Sequence, residues 1–142
     1  MELTRRSLLL AAAAAPAFPA SPKPVDTHIH LFEPQRFPYH PKATYQPPAE
    51  PLAPYAPFAA GVLSHSIIVH PEPYQDDHRY LEYCFQNEPR KGFFKSTCLF
   101  DAFDPQTPAR MEALVRKWPG RIVALRVHAT ERTTRSRSEA HV

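Results

Sequence analysis

Three ionisable residues alternate with other residues in an otherwise apolar run near the start of the chain. Residues 24–32 read PVDTHIHLF, so Asp26, His28 and His30 occupy every second position. Residues two apart in a β-strand share one face, and we therefore predict that these three side chains project from the same side of one strand. Burying polar groups without partners costs several kcal/mol. This face therefore needs a metal ion, a ligand or hydrogen-bonded partners.

The two histidines suit a divalent metal. Imidazoles at positions i and i+2 can converge on one ion, and nitrogen ligands favour zinc, which turns bound water into a nucleophile near neutral pH. The alternative is a hydrogen-bonded structural pair, since the bare pattern His-x-His occurs often by chance. Asp26 is either a third ligand or a residue that supports the histidines.

Further polar residues stand at the ends of later apolar runs. His70 ends SIIVH, Asp101 follows FFKSTCLF, and Arg126 and His128 lie at the end of IVALRVH. Parallel α/β proteins place their sites at the carboxyl ends of strands. We therefore predict that His70, Arg126 and His128 contact a small-molecule substrate, with the arginine holding a carboxylate through paired hydrogen bonds. The structural alternatives are a strand cap for His70 and a turn residue for Asp101.

The elements that must position these residues alternate between strands and helices. The predicted strands are 25–32, 66–70, 93–100 and 122–128, and the predicted helices are 76–87 and a segment from Asp104 or Thr107 to Trp118. This order indicates parallel βαβ units, and the nearly continuous apolar strands indicate a sheet that is covered on both faces. His65, His78 and His141 are expected on the surface.

A proline-rich connection joins the first two strands. Residues 33–61 hold eight of the eighteen prolines. Because proline lacks an N–H and has a fixed φ, we predict little helix and no central strand in this segment. Loops of this length often bind ligands or act as lids, and the alternative is an ordered wrapping segment without contact to substrate.

The two ends of the chain differ from the middle. Residues 1–20 combine a charged start, an apolar run and small residues, which is typical of an export signal. The stretch TRRSLL favours the twin-arginine type, with an ordinary secretory signal or an uncleaved anchor as alternatives. We expect a periplasmic or extracytoplasmic protein without a membrane span in its mature form, because the apolar run is too short to cross a bilayer. Residues 130–142 are polar and predicted to be disordered.

Charge and cysteine content exclude some classes of protein. Residues 21–129 carry 12 Lys and Arg against 11 Asp and Glu, so there is no basic stripe and nucleic acid is not an expected partner. Cys84 and Cys98 cannot form a disulfide framework. We expect two inert, buried thiols, with a single bridge as the alternative in an oxidising compartment.

Several stretches together resemble a known family. DTHIHLF, the FPYHP segment, SIIVHPEPYQDDHRYL and IVALRVH are similar to the N-terminal half of amidohydrolase-related metal-dependent hydrolases, in the branch of the dicarboxylate lactonases. The resemblance spans residues 24–129 and implies a (β/α)8 barrel that hydrolyses a lactone, an amide or a related bond, or in some branches decarboxylates. It implies that His28 and His30 bind metal, or polarise the substrate carbonyl without a tightly held metal. It implies that Arg126 contacts acidic substrates.

The predicted fold class is therefore α/β, a partial TIM-type (β/α)8 barrel of about four parallel strands with covering helices over residues 21–129. A whole barrel needs about 200 residues or more, and a catalytic zinc takes three protein ligands. The resemblance places the remaining histidines and the aspartate general base on later strands, beyond Val142. We predict a truncated metal-dependent hydrolase. The alternative is a non-catalytic fragment, or a metal-binding half-barrel that is active only as a homo-oligomer joined through open sheet edges.

Overall fold

Four parallel strands in chain order form the centre of the computed structural model, which describes residues 21–126. The strands are β1 (Val25–Ile29), β2 (His65–Val69), β3 (Phe94–Leu99) and β4 (Ile122–Arg126). The helices are α1 (Leu52–Val62), α2 (Arg79–Gln86) and α3 (Thr107–Lys117), and a 3-10 turn spans Glu72–Tyr74. Each strand pairs with the next in parallel. The predicted α/β class with four parallel strands and covering helices is confirmed.

The core lies between the sheet and its helices. The apolar stripe of α2 is buried as its helical spacing predicts, and it packs in one cluster with residues of β2 and β3, among them Ile68, Phe94 and Cys98. Cys84 and Cys98 are free and buried, in agreement with the predicted inert thiols. Burial raises the pKa of both thiols, that of Cys98 to about 12.

Helix α1 contradicts the prediction of little helix within residues 33–61. The helix contains Pro54 in its first turn and Pro57 further along. A proline in the first turn loses no intrahelical hydrogen bond, whereas an interior proline costs about 3 kcal/mol. Burial of Leu52 and Ala59 opposes that cost, and the backbone N–H of Leu52 donates to the Tyr80 hydroxyl at 2.9 Å. Tertiary packing therefore overrides the local preference against a helix here.

Some predictions fall outside the described residues. The export signal at 1–20, the substrate contact by His128, the surface position of His141 and the polar tail at 130–142 all lie there. Within residues 21–126, no helix has the length and apolar character needed to cross a membrane.

Candidate functional site

The side chains of His28 and His30 converge at the carboxyl end of β1. Their Nε2 atoms lie 3.3 Å apart, and the two rings stand nearly perpendicular, with centroids 5.0 Å apart. His30 Nδ1 lies 2.7 Å from the carbonyl oxygen of Val69 in β2. Because a carbonyl only accepts, Nδ1 carries the hydrogen and Nε2 keeps its lone pair. Metal-binding histidines are commonly held in this tautomer by such an outer hydrogen bond.

The spacing of the two nitrogens matches two positions around a zinc ion. Two Zn–N bonds of about 2.0–2.1 Å at a tetrahedral angle place their nitrogens about 3.3–3.4 Å apart. Within residues 21–126, no group of three or more His, Cys, Asp or Glu residues is arranged to hold a metal. Among the described residues, only His28 and His30 therefore match ligand positions, and a catalytic zinc takes three protein ligands.

A β-bulge separates Asp26 from the histidines. Asp26 pairs with Ser66 of β2, whereas Ile29 pairs with Ile68, so β1 uses one more residue than β2 over this stretch. An extra residue reverses the alternation of side chains beyond it. The prediction that Asp26, His28 and His30 share one face is therefore wrong for Asp26.

Asp26 instead connects β1 to helix α1. Its Oδ2 lies 3.3 Å from the Tyr55 hydroxyl, which also lies 2.8 Å from Ser66 Oγ. Its Oδ1 accepts a hydrogen bond from the backbone N–H of His28 at 3.0 Å. The carboxylate thus holds the backbone of His28 in place. The supporting role of Asp26 stays a prediction, and this hydrogen bond is the contact through which it would act.

Arg126 lies at the end of β4, beside the same site. Its Nη1 donates to the carbonyl oxygen of His70 at 2.9 Å, and its side chain is half-buried. Burial lowers the pKa of His30, the hydrogen bond to Val69 opposes this, and the positive charge of Arg126 lowers it further. The arginine therefore favours the neutral form of the His30 imidazole.

The rings of His70 and His78, at the two ends of the connection between β2 and α2, pack against each other at a tilt of 39°. The His70 side chain is buried, and its Nε2 donates to the carbonyl of Gln75 at 3.0 Å. Burial lowers the pKa of His70 to about 3. The predicted substrate contact of His70 stays a prediction, and its ring already has a protein partner. His78 packs 4.7 Å away between ring centroids, with Nε2 3.0 Å from the Leu99 carbonyl.

The prediction of a surface position for His78 is wrong, because the side chain is half-buried. The signal that could have shown this is its position directly before the buried stripe of α2. His65 is exposed, as predicted. Asp101 Oδ1 accepts a hydrogen bond from the backbone N–H of Phe103 at 3.1 Å, which is the turn role named as its alternative.

The proline-rich segment is tied to the β2–α2 connection through buried polar residues that sequence reasoning missed. Glu72 is buried, and its carboxylate accepts from the backbone N–H of Thr44 at 3.2 Å and from the Gln75 side chain. Gln75 has a φ of 52°, a left-handed conformation that is uncommon for a residue with a Cβ. In the same segment, burial raises the pKa of the Tyr45 hydroxyl, and the positive charge of Arg126 acts to lower it. The segment therefore reaches the neighbourhood of Arg126.

Comparisons with known proteins find likeness in structure only. No protein-family model matches the chain, and no curated protein matches it. A protein of Agrobacterium tumefaciens, solved in its apo form, is 25% identical with a TM-score of 0.59, over 81% of this chain and 39% of that one.

A second similar structure is that of a protein whose name states a reaction. It is that of a Pseudomonas putida protein titled "Putative 2-Pyrone-4,6-Dicarboxylic Acid Hydrolase", which is 22% identical with a TM-score of 0.52, over 74% of this chain and 36% of that one. The chain therefore spans well under half of the length of both structures. The likeness concerns the fold, and the predicted partial TIM-type barrel is confirmed.

Proposed function

We propose that the chain is part of a hydrolase of the amidohydrolase superfamily. The observation that carries this proposal is the His28–His30 pair, with its 3.3 Å separation of Nε2 atoms, at the carboxyl end of the first strand. The structural likeness to a protein titled as a pyrone dicarboxylic acid hydrolase supports the reaction class at a coarse level. We propose a small carboxylated lactone or amide as the substrate.

His28 and His30 are proposed to hold a divalent metal, for which nitrogen ligands favour zinc. Zinc, when bound, supplies a Lewis acid and lowers the pKa of water. His30 enters as a neutral ligand, because Val69 fixes its tautomer and burial lowers its pKa. His28 is exposed, so its ring can turn toward an ion without displacing packed neighbours.

Arg126 is proposed to bind a substrate carboxylate. A guanidinium has five N–H donors, and the hydrogen bond to the His70 carbonyl uses one of them. That bond holds the arginine at the strand ends, where its remaining donors can meet a carboxylate in paired fashion. Tyr45 is proposed to close over the substrate from the proline-rich segment.

The same histidine pair also suits a reaction without a tightly held metal. In that case the Nε2–H of exposed His28 turns away from His30 Nε2, which lies 3.3 Å away, and donates to the scissile carbonyl. The two forms of the proposal differ in their response to a chelator. Hydrolysis that survives chelation favours the direct role, and hydrolysis that returns only with zinc favours the metal.

The test measures zinc bound to the purified chain and hydrolysis of a pyrone dicarboxylate by ultraviolet absorbance. The double variant His28→Ala/His30→Ala is compared with His65→Ala, which removes an exposed histidine from the next strand. We expect the double variant to lose zinc and hydrolysis, and the control to keep both. Zinc retention by the double variant would refute the ligand assignment, and unchanged hydrolysis would refute the site.

A further inference from the structure

Residues 33–49 of the proline-rich segment form a loop that is anchored at its base and along its length. At the base, Phe32 and Glu50 exchange two backbone hydrogen bonds of 2.8 Å. Further along, the backbone N–H of His40 donates to the carbonyl oxygen of Pro73 at 2.7 Å. The loop is therefore held against the connection between β2 and α2.

A carboxylate that water does not reach provides another anchor for this loop. Glu72 is 1% exposed, and its Oε2 accepts from the backbone N–H of Thr44 at 3.2 Å. The side-chain amide of Gln75 donates to the other carboxylate oxygen and, at 3.1 Å, to the backbone carbonyl of Glu72. Because a buried carboxylate needs donors around it, Gln75 helps to orient the Glu72 side chain. Thr44 directly precedes Tyr45, so this contact fixes the backbone from which the tyrosine projects.

Gln75 has a backbone conformation that favours glycine. Its φ is 52° and its ψ is −123°, and the N–H of Asp77 donates to the carbonyl of Tyr74 at 2.9 Å. This is the geometry of a type II′ turn, in which the first central position is preferentially glycine. Strained residues of this kind persist where the surrounding structure requires them. The glutamine therefore points to a role for its side chain that glycine could not perform, and the contact with Glu72 supplies one.

Gln75 also connects this carboxylate to Arg126. The backbone carbonyl of Gln75 accepts from His70 Nε2 at 3.0 Å, and the carbonyl of His70 accepts from Arg126 Nη1 at 2.9 Å. The backbone and the side chain of one residue thus join Arg126 on one side to Thr44 on the other. The three linking residues, His70, Glu72 and Gln75, are at most 8% exposed, so water competes little for these hydrogen bonds.

We propose that Gln75 is a positioning residue that holds Tyr45 and Arg126 at a fixed separation, so that the two side chains grip one substrate carboxylate together. This inference rests on the proposed function, which includes a carboxylated substrate. Tyr45 is 43% exposed, so a ligand can reach its hydroxyl. Burial raises the pKa of that hydroxyl, which keeps it protonated and able to donate at neutral pH. The charge of Arg126 acts on the same hydroxyl, as expected for neighbouring groups.

The first test measures binding of isophthalate, a planar dicarboxylate without a hydrolysable bond, by calorimetry. Gln75→Ala removes the amide and keeps the strained backbone, whereas Gln75→Gly removes the amide and relieves the strain. We expect both variants to bind isophthalate about tenfold more weakly than the unmodified chain, although the glycine variant should be the more stable one in urea denaturation. Gln35→Ala, at an exposed glutamine of the same loop, should bind normally. Affinities that follow the stabilities of the two variants would overturn the positioning role.

A double-mutant cycle tests whether Gln75 acts through Tyr45. Two residues that act on one contact are coupled, whereas independent residues give additive losses. In a chain that already carries Tyr45→Phe, we therefore expect Gln75→Ala to cause little further loss of isophthalate affinity. Fully additive losses would show that Gln75 does not act through the tyrosine and would overturn the proposal.

Amide hydrogen exchange, followed by NMR, tests the same network without a ligand. The amide of Thr44 should exchange faster in both Gln75 variants, while the amide of His40, which is bonded to Pro73, keeps its rate. An unchanged rate at Thr44 would overturn the network. An unmodified chain that does not bind isophthalate would refute the proposed carboxylate site and the joint grip with it. Equal affinities of the unmodified chain and its Gln75 variants would overturn the role of Gln75 alone.

Discussion

Arg126 donates a hydrogen bond from Nη1 to the carbonyl oxygen of His70 at 2.9 Å. The bond passes over β3, because Arg126 ends β4 and His70 follows β2. The acceptor belongs to the backbone, so the position of the guanidinium depends on the sheet register and not on the identity of another side chain. A cation is thereby fixed at the carboxyl ends of the strands, close enough to lower the pKa of His30.

Replacing Arg126 by lysine tests whether its geometry matters beyond its charge. Lysine keeps the charge but cannot present paired donors in one plane. We expect Arg126→Lys to weaken binding of a small dicarboxylate by about tenfold to a hundredfold, measured by calorimetry. Arg116→Lys on the exposed face of α3 is the matched control and should leave the affinity unchanged. Equal affinities for both variants would remove Arg126 from the substrate site.

The order of the elements follows from the sequence because it depends on local spacing. Apolar residues with a period near 3.6 predict α2 and α3, and β-branched runs that end at a proline or a polar residue predict the strands. The convergence of His28 and His30 follows from their separation of two residues. Helix α1 could not be predicted from local spacing, because its two prolines disfavour a helix. It is stabilised by packing against residues that are distant in the sequence.

The details of the site depend on register, which no local pattern contains. The bulge in β1 arises from how Asp26 and Ile29 pair with β2, and it moves Asp26 away from the histidine pair. The contact between His30 and Val69 joins residues 39 apart in the chain. The burial of Glu72 depends on Thr44, which lies 28 residues away. Such contacts become visible only when the strands are aligned.

Removing one partner of the ion pair between Glu88 and Arg121 should destabilise the fold strongly. Its side chains are only 8% and 13% exposed, and the carboxylate also accepts from the backbone N–H groups of Gly92 and Phe94. Burial alone would raise the pKa of Glu88, but the hydrogen bonds from Arg121 and the backbone lower it. We expect Glu88→Gln to reduce the free energy of unfolding by about 2–4 kcal/mol in urea denaturation.

The control for this pair is Glu112→Gln. Glu112 pairs with Arg116 one helical turn away, with both side chains at least 70% exposed. Such surface pairs contribute little, so the expected loss is below about 0.5 kcal/mol. Similar losses for the two glutamates would contradict the structural role assigned to the Glu88–Arg121 pair.

The buried His70 should make the fold sensitive to acid. Its pKa falls from 6.5 to about 3 in the folded chain, so between these values the unfolded chain binds a proton that the folded chain excludes. The contribution of neutral His70 to the free energy of unfolding is therefore fully present above pH 6.5. It declines as the pH falls toward 3, by up to about 1.4 kcal/mol per pH unit. His70→Gln keeps an N–H donor and should make this decline shallower in urea titrations. An imidazole NMR signal of His70 that titrates near its ordinary pKa would contradict this expectation.

The hydroxyl of Tyr55 should stabilise the junction of α1 with β1 and β2. It lies 2.8 Å from Ser66 Oγ and 3.3 Å from Asp26 Oδ2, and Ser66 is fully buried. Removing the hydroxyl leaves the serine without that partner in a place that water does not reach. We expect Tyr55→Phe to lower the free energy of unfolding by about 1–2 kcal/mol, measured by urea denaturation. Tyr45→Phe removes a hydroxyl from an exposed tyrosine and should change stability by much less, so equal losses would show that the Tyr55 contacts contribute nothing specific.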